Sequence, residues 1–452
     1  MPIKPIPVPN LNLNYYLINY DADGNERAGD DGKKLSQVVL DELKNGGYTD
    51  VILMSHGWMG DIPAAVAQYD RWLANLYSNA ADIEAMKAKR PGFKPLFIGL
   101  HWPSLPWGDE DNGGSFGFDP NSEAGQIIQA TVDDYAARLG DTPKIRANLE
   151  TILTAAIDEH ETLPDDVRAA YESLGTALGF RQDGSAVQDM DADSFDPDQM
   201  FQEALDQENE DLTTGSFSKF SFFGTLLSPL RTFSFWQMKS RARKFGESGA
   251  NDFLRALQKV AADTGRPNAG ADVAFHLMGH SFGCAVVTAM AAGKPDDNTP
   301  QVPVNSMTLV QGALSIWAYC PDIPSKKGTA GYFNPLLKRS RVKGPIVTTQ
   351  SEHDRAVGLF YKLGAGVAGQ VSFANKFPDI GGLGAFGIQG LDQIAEGLEM
   401  KPVNEPYNFK SGRIYNLESS NVIKNGGGFS GAHSDIAHPE VAHALWQAAL
   451  AG

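Results

Sequence analysis

Short apolar runs rich in β-branched or aromatic residues, each bounded by turn formers, recur along the chain. They are Tyr15 to Asn19, Asp50 to Met54, Leu96 to Leu100, Val273 to Met278, Met307 to Val310, Pro345 to Thr349 and Arg413 to Leu417. Most are continuous rather than alternating, the pattern of strands buried on both faces of a parallel sheet. Between them lie stretches with helical periodicity: Leu35 to Asn45, Ile62 to Asn79, Phe235 to Ala262, Cys284 to Ala292, Ala356 to Leu363 and Pro439 to Ala449. Strand alternating with helix predicts an α/β fold, a doubly wound and mostly parallel sheet with helices on both faces.

One segment breaks the alternation. From Pro103 to about Thr232 no strand pattern occurs, only a Gly/Asp-rich loop, helical stretches over Ala124 to His160 and Pro164 to Leu178, and an acidic run. A structureless connection of that size is exceptional in a compact domain. Residues 103–232 are therefore predicted as an inserted, mainly helical cap between core segments 1–102 and 233–452.

Charge sharpens this division. The 55 acidic against 38 basic residues give a net −17, which disfavours nucleic acid and anionic membranes as partners. Eleven of those acidic residues lie between Asp183 and Asp211 with no Lys or Arg among them, so outside the loop 183–211 the balance is 44 against 38. Asp189, Asp191 and Asp193 have the spacing that opens a calcium loop. Ser194 stands where that loop needs Gly, however, and Met200 where it needs Glu, so no metal or other cofactor is expected. Cys284 and Cys320 are too few for a disulfide framework. Prolines interrupt the N-terminal stretch where a signal peptide would be apolar, and no apolar run is long enough for a membrane span. The expectation is a soluble cytoplasmic protein.

Gly-x-Ser-x-Gly occurs twice, at Gly113-Gly114-Ser115-Phe116-Gly117 and at Gly279-His280-Ser281-Phe282-Gly283. A nucleophile elbow needs a buried strand that ends at the serine and a helix that starts behind it. Val273 to Met278 and Cys284 to Ala292 supply both for Ser281, whereas Ser115 sits in a Gly/Asp-rich loop. A serine hydroxyl needs a base within hydrogen-bond reach, and in such a sheet later strands bring polar groups to the crevice at their carboxyl ends. The strand from Pro345 runs into Ser351-Glu352-His353-Asp354. Asp354 is the preferred acid over Glu352 and Asp322, and its alternative role is an N-cap for the next helix. After the last strand a Gly-rich loop leads to His433, preferred as the base over His438 and His443, which lie at and inside the final helix. His353 adjoins the acid, His276 and His280 precede the nucleophile, and His101 and His160 have no partner legible in the sequence.

The fourth element is a place for an oxyanion. Asp50 to His56 is a strand followed by the Gly57 turn, the kind of early loop from which hydrolases built on such a sheet supply a backbone N–H. The donors would be the amides of Trp58 and Phe282, and one such donor is worth about 100- to 1,000-fold in rate. His56, Trp102 and Trp107 are expected to line the substrate crevice.

Ser281, Asp354 and His433 in that chain order, with His56-Gly57-Trp58 after an early strand, resemble the α/β-hydrolase superfamily of serine hydrolases. The resemblance covers roughly the first hundred residues and everything from the helix near Phe235 onward. It implies an eight-stranded, mostly parallel sheet and acyl transfer through a covalent acyl-enzyme. Two features depart from the family: the insertion precedes the nucleophile strand, and the Gly-Gly-Gly form of the oxyanion loop is absent. Aromatic residues from Phe217 to Trp236 either dock the inserted segment or accept an apolar group. A small-molecule carboxylic ester with an apolar portion is the expected substrate. Amide or thioester cleavage by the same triad, and a non-catalytic binding protein on the same fold, are the alternatives.

Overall fold

The computed structural model describes residues 3–9, 11–29, 32–58, 61–104, 124–155, 162–177, 197–198, 201, 238–263, 272–294, 301–357, 381–426 and 431–452. Among them, nine strands form one sheet: β1 (Ile3–Pro5), β2 (Asn14–Asn19), β3 (Asp50–Ser55), β4 (Pro95–His101), β5 (Ala274–His280), β6 (Ser306–Val310), β7 (Ile346–Gln350), β8 (Ala395–Glu399) and β9 (Ile414–Glu418). Their order is β1-β2-β4-β3-β5-β6-β7-β9-β8, and every neighbouring pair is parallel except β1 with β2. The apolar runs of the sequence account for all but the two outermost strands. Those two, β1 and β8, have no apolar run: β1 ends on Pro5, and Glu396 and Glu399 punctuate β8, as suits sheet edges. The sheet thus has one strand more than the eight that the resemblance implies.

The longer helices are α1 (Leu35–Asn45), α2 (Ile62–Ser78), α3 (Ala80–Lys89), α4 (Ala124–Leu139), α5 (Pro143–Ala155), α6 (Asp165–Ala177), α7 (Asn251–Asp263), α8 (Phe282–Ala292) and α9 (Pro439–Ala451). None of the helices among the described residues is long and apolar enough to cross a membrane. The chain divides into two units. The sheet lies in the unit formed by Met1–Leu105, Lys239–Gly358 and Gly381–Gly452. Strand β3 lies at its heart. Ile52 and Met54 point to one face and Val51 and Leu53 to the other, and all four are fully buried, so both faces are covered there. Tyr69, Trp72, Leu73 and Leu76 of α2 and Val441, Leu445 and Trp446 of α9 cover the Ile52 face. Helix α8 is apolar on every side and buried at every residue, the signature of a helix inside the core. Cys284 and Cys320 are buried free thiols.

The second unit comprises Pro106–Met238 and Leu359–Ile380. Its described elements are α4, α5 and α6, which share a core of Val132, Tyr135, Leu149, Ile152, Val167, Tyr171 and Leu174, joined by Phe201. Ile145, Leu149, Ile152 and Leu153 recur at helical spacing along α5, which explains the buried stripe.

Register decides what meets at the carboxyl end of the sheet. Ser55 pairs with both Leu100 and Gly279, His280 pairs with Val310, and Gln350 pairs with Glu418. The chain leaves β3 toward β4 on one side and β5 toward β6 on the other. The crevice of an open α/β sheet opens where the winding reverses in this way.

Candidate functional site

Ser281 stands between β5 and α8 with φ 54° and ψ −124°, a left-handed conformation that costs a non-glycine residue ~1–3 kcal/mol. The flanking glycines follow from this sharp turn. A Cβ on Gly279 would lie 2.5 Å from the carbonyl oxygen of Gly283, and one on Gly283 would collide with the carbonyl oxygens of Ser55 and His56. Ser281 N–H donates to Val310 O at 3.1 Å, and Ala313 N–H donates to Ser281 O at 3.1 Å, so the turn after β6 clasps the serine backbone from both sides.

The structure brings Ser281, His433 and Asp354 into one hydrogen-bonded chain. The Asp354 carboxylate can only accept, which places a proton on His433 Nδ1, 2.8 Å from Asp354 Oδ2. His433 Nε2 is then the acceptor for the Ser281 hydroxyl, also at 2.8 Å. The Asp354 side chain is wholly buried, and that of His433 is 12% exposed. The two oxygens of Asp354 face different partners: Oδ1 accepts the Val357 N–H at 3.1 Å at the head of the following turn, as a cap would, while Oδ2 faces His433. The loop that carries His433 is tied to the acid loop by a bridge between Asp354 and Gly431 and by Ala432 N–H donating to His353 O. A hydroxyl held against one nitrogen of an imidazole whose far nitrogen faces a buried carboxylate can lose its proton as it attacks an electrophile.

The early loop presses on the same serine. A Cβ on Gly57 would come within 2.7 Å of Ser281 Cβ. His56 N–H donates to the Tyr69 hydroxyl, which donates in turn to Leu100 O at 2.6 Å. His56 Nδ1–H donates to Gly57 O at 2.9 Å, and His56 Nε2 accepts from His101 Nδ1–H at 2.9 Å. The C=O and N–H of a trans peptide point in opposite directions, so fixing the Gly57 carbonyl also fixes the direction of the Trp58 N–H. The Trp58 ring lies edge-on to that of Phe282, 6.1 Å between centroids. Burial and the neighbouring His101 push the His56 pKa well below its ordinary value and keep this ring neutral.

Other expected residues have different places. His56 and Trp102, expected to line the crevice, are instead buried, with rings stacked at 5.8 Å, and Trp102 stacks further on Phe245. They back the Gly57 turn from within the core. Glu352 and Asp322 have side chains 66% and 50% exposed. His276 is a buried core residue, and His443 pairs with Asp82 at 2.6 Å between α9 and α3. Trp107, Ser115, His160, Asp189, Asp191, Asp193 and the aromatic stretch from Phe217 to Trp236 lie outside the described residues.

Two residues beside the triad had no role assigned from the sequence: Gln311, and His280, noted there only as preceding Ser281. His280 Nε2–H donates to the backbone carbonyl of His433 at 3.0 Å, with ring centroids 5.0 Å apart, while its Nδ1 has no hydrogen-bond partner among the described residues. Burial, reinforced by the neighbouring His433, pushes its pKa down to about 3. Gln311 donates to Asp354 Oδ2 at 2.8 Å. His280 fills a variable position of Gly-x-Ser-x-Gly, and Gln311 belongs to no motif that a sequence displays. Among the described residues, no group of three His, Cys, Asp or Glu side chains is placed to hold a metal ion. Comparison with protein-family models, with curated proteins and with solved structures finds no match to this chain.

Proposed function

We propose that the chain is a serine hydrolase of the α/β-hydrolase type that cleaves a carboxylic ester through an acyl-enzyme on Ser281. The observation that carries this reading is the Ser281–His433–Asp354 chain of 2.8 Å contacts set on a serine with positive φ. In the proposed cycle His433 Nε2 takes the Ser281 proton as Oγ attacks the ester carbonyl carbon. Asp354 holds the imidazole in the required tautomer and steadies the imidazolium. The amides of Trp58 and Phe282 receive the negative charge that develops on the carbonyl oxygen. His433 then protonates the departing alkoxide, and a water activated by the same nitrogen releases the acid.

An ester with an apolar portion is the substrate class we assign, resting on the aromatic-rich stretch from Phe217 to Trp236 in the sequence. A fluorophosphonate probe tests the reaction class, because it reacts with an activated serine hydroxyl. The expected result is one adduct, on Ser281, abolished by Ser281→Ala together with p-nitrophenyl ester hydrolysis, a loss of at least about 10,000-fold in turnover. Folded wild-type protein that takes up no probe sinks the reading, and full turnover by Ser281→Ala moves the nucleophile elsewhere. Rates on p-nitrophenyl esters of increasing acyl length then test the apolar part of the substrate.

A further inference from the structure

Asp354 Oδ2 accepts two hydrogen bonds of equal length, from His433 Nδ1 and from Gln311 Nε2, each 2.8 Å. Gln311 is the first residue after β6, fully buried, with φ 45°. A non-glycine residue in that conformation persists only where its surroundings over-determine it, and here they do. Its backbone N–H donates to Thr349 Oγ1 at 2.9 Å, and its Oε1 accepts the Thr349 hydroxyl at 2.8 Å. Its second Nε2 hydrogen goes to Gly384 O at 2.9 Å. A flipped amide would set its oxygen against the Asp354 carboxylate and the Gly384 carbonyl, so the network permits one orientation only. The residues beside Gln311 hold the serine: Val310 O accepts from Ser281 N–H, and Ala313 N–H donates to Ser281 O.

We infer that Gln311 is a positioning residue of this site, aiming the Asp354 carboxylate at His433 and tying it to the turn that clasps Ser281. This deepens the serine-hydrolase reading and rests on it. The spacing of acid and nucleophile is then set by one side chain rather than by two independent loops. When His433 becomes an imidazolium, its partner carboxylate is already held by a second donor and has no freedom to turn away.

Gln311→Met keeps the length of the side chain and removes both donors. Its kcat on p-nitrophenyl acetate should fall about 10- to 100-fold, the range for losing one hydrogen bond to a charged group, with KM within about two-fold of wild type. The rate of fluorophosphonate labelling should fall in parallel. Gln311→Glu keeps the shape and faces one carboxyl with another, so its activity relative to wild type should rise as pH is lowered from about 9 to about 6 and that pair gains a proton. A group that only closes a buried turn would not give this pH dependence. Wild-type kcat and labelling rate in folded Gln311→Met, or a pH-independent ratio for Gln311→Glu, overturn the inference and leave the hydrolase reading standing. A wild-type protein that neither labels nor turns over takes both down.

Discussion

Two chains of Asp, His and Ser run through the sheet unit, one at each end of β5. At the carboxyl end Asp354, His433 and Ser281 meet through contacts of 2.8 Å. Toward the amino end Asp50 Oδ1 lies 3.2 Å from His276 Nε2, and His276 Nδ1 lies 2.8 Å from Ser306 Oγ. The residue types and the order of contact are the same. Everything around them differs. Asp50, His276 and Ser306 are all buried at 0–1% exposure on regular strands, with the imidazole turned so that Nε2 faces the acid. Asp50 Oδ2 is already committed to Arg90 Nε at 2.9 Å and to the Thr49 hydroxyl at 2.5 Å. Burial works against the Asp50 charge, yet the hydrogen bonds from His276 and Thr49 and the Arg90 cation hold its carboxyl below the ordinary range. Ser281 instead sits on a positive-φ turn beside a partly exposed histidine. What separates a candidate active site from internal stitching is backbone conformation and access rather than the identity of three side chains.

The contrast can be broken first by exchanging each acid for its amide. Asp354→Asn should lower ester turnover by about 10,000-fold, the loss expected when the imidazole is held in the wrong tautomer. Asp50→Asn should leave turnover per folded molecule within about two-fold. A loss of turnover in Asp50→Asn larger than that in Asp354→Asn would reverse the assignment. Stability should respond the other way. Asp50→Ala leaves Arg90 and His276 without their buried carboxylate and should cost about 3–5 kcal/mol in urea denaturation, against about 1 kcal/mol for Ser306→Ala.

The contrast extends to pH. Folded His280 stays neutral to about pH 3, whereas an unfolded histidine takes up a proton near pH 6.5, so the unfolded chain binds more protons between these values. Its contribution to stability therefore declines as pH falls from about 6.5, and His280→Gln should flatten that decline in urea midpoints. Asp50 acts lower. Its folded pKa is depressed, so its contribution is full above the unfolded carboxylate value and is lost only as pH drops through the folded one.

Much of the sheet is legible in the sequence because parallel strands buried on both faces must be apolar throughout, as in Val51 to Met54. The edges were not, since β8 has polar, exposed positions and β1 ends in proline. Helix α3 escaped because its buried positions are only Asp82 and Met86, too few for a periodic stripe. Within the site, the elbow announces itself through the strand and helix around Ser281. The selection of Asp354 over Glu352 depends on burial, which neighbouring carboxylates in one turn do not reveal. Gln311 left no trace, because a left-handed backbone at a glutamine has no sequence signature of the kind glycine or asparagine gives. His56 stood out as the residue before a glycine turn, but its place inside the core followed from Trp102 stacking on it and His101 hydrogen-bonding to it.

The close approach of Gly57, Gly279 and Gly283 to the elbow has an evolutionary consequence. Two of these positions admit no Cβ without displacing backbone, and the third admits none without displacing Ser281 or His280. A lineage on this scaffold cannot retune its chemistry there by accumulating side chains. Under the proposed serine-hydrolase reading, drift and selection for new substrates act on residues farther from Ser281, while this small arrangement of main chain is inherited whole or lost whole.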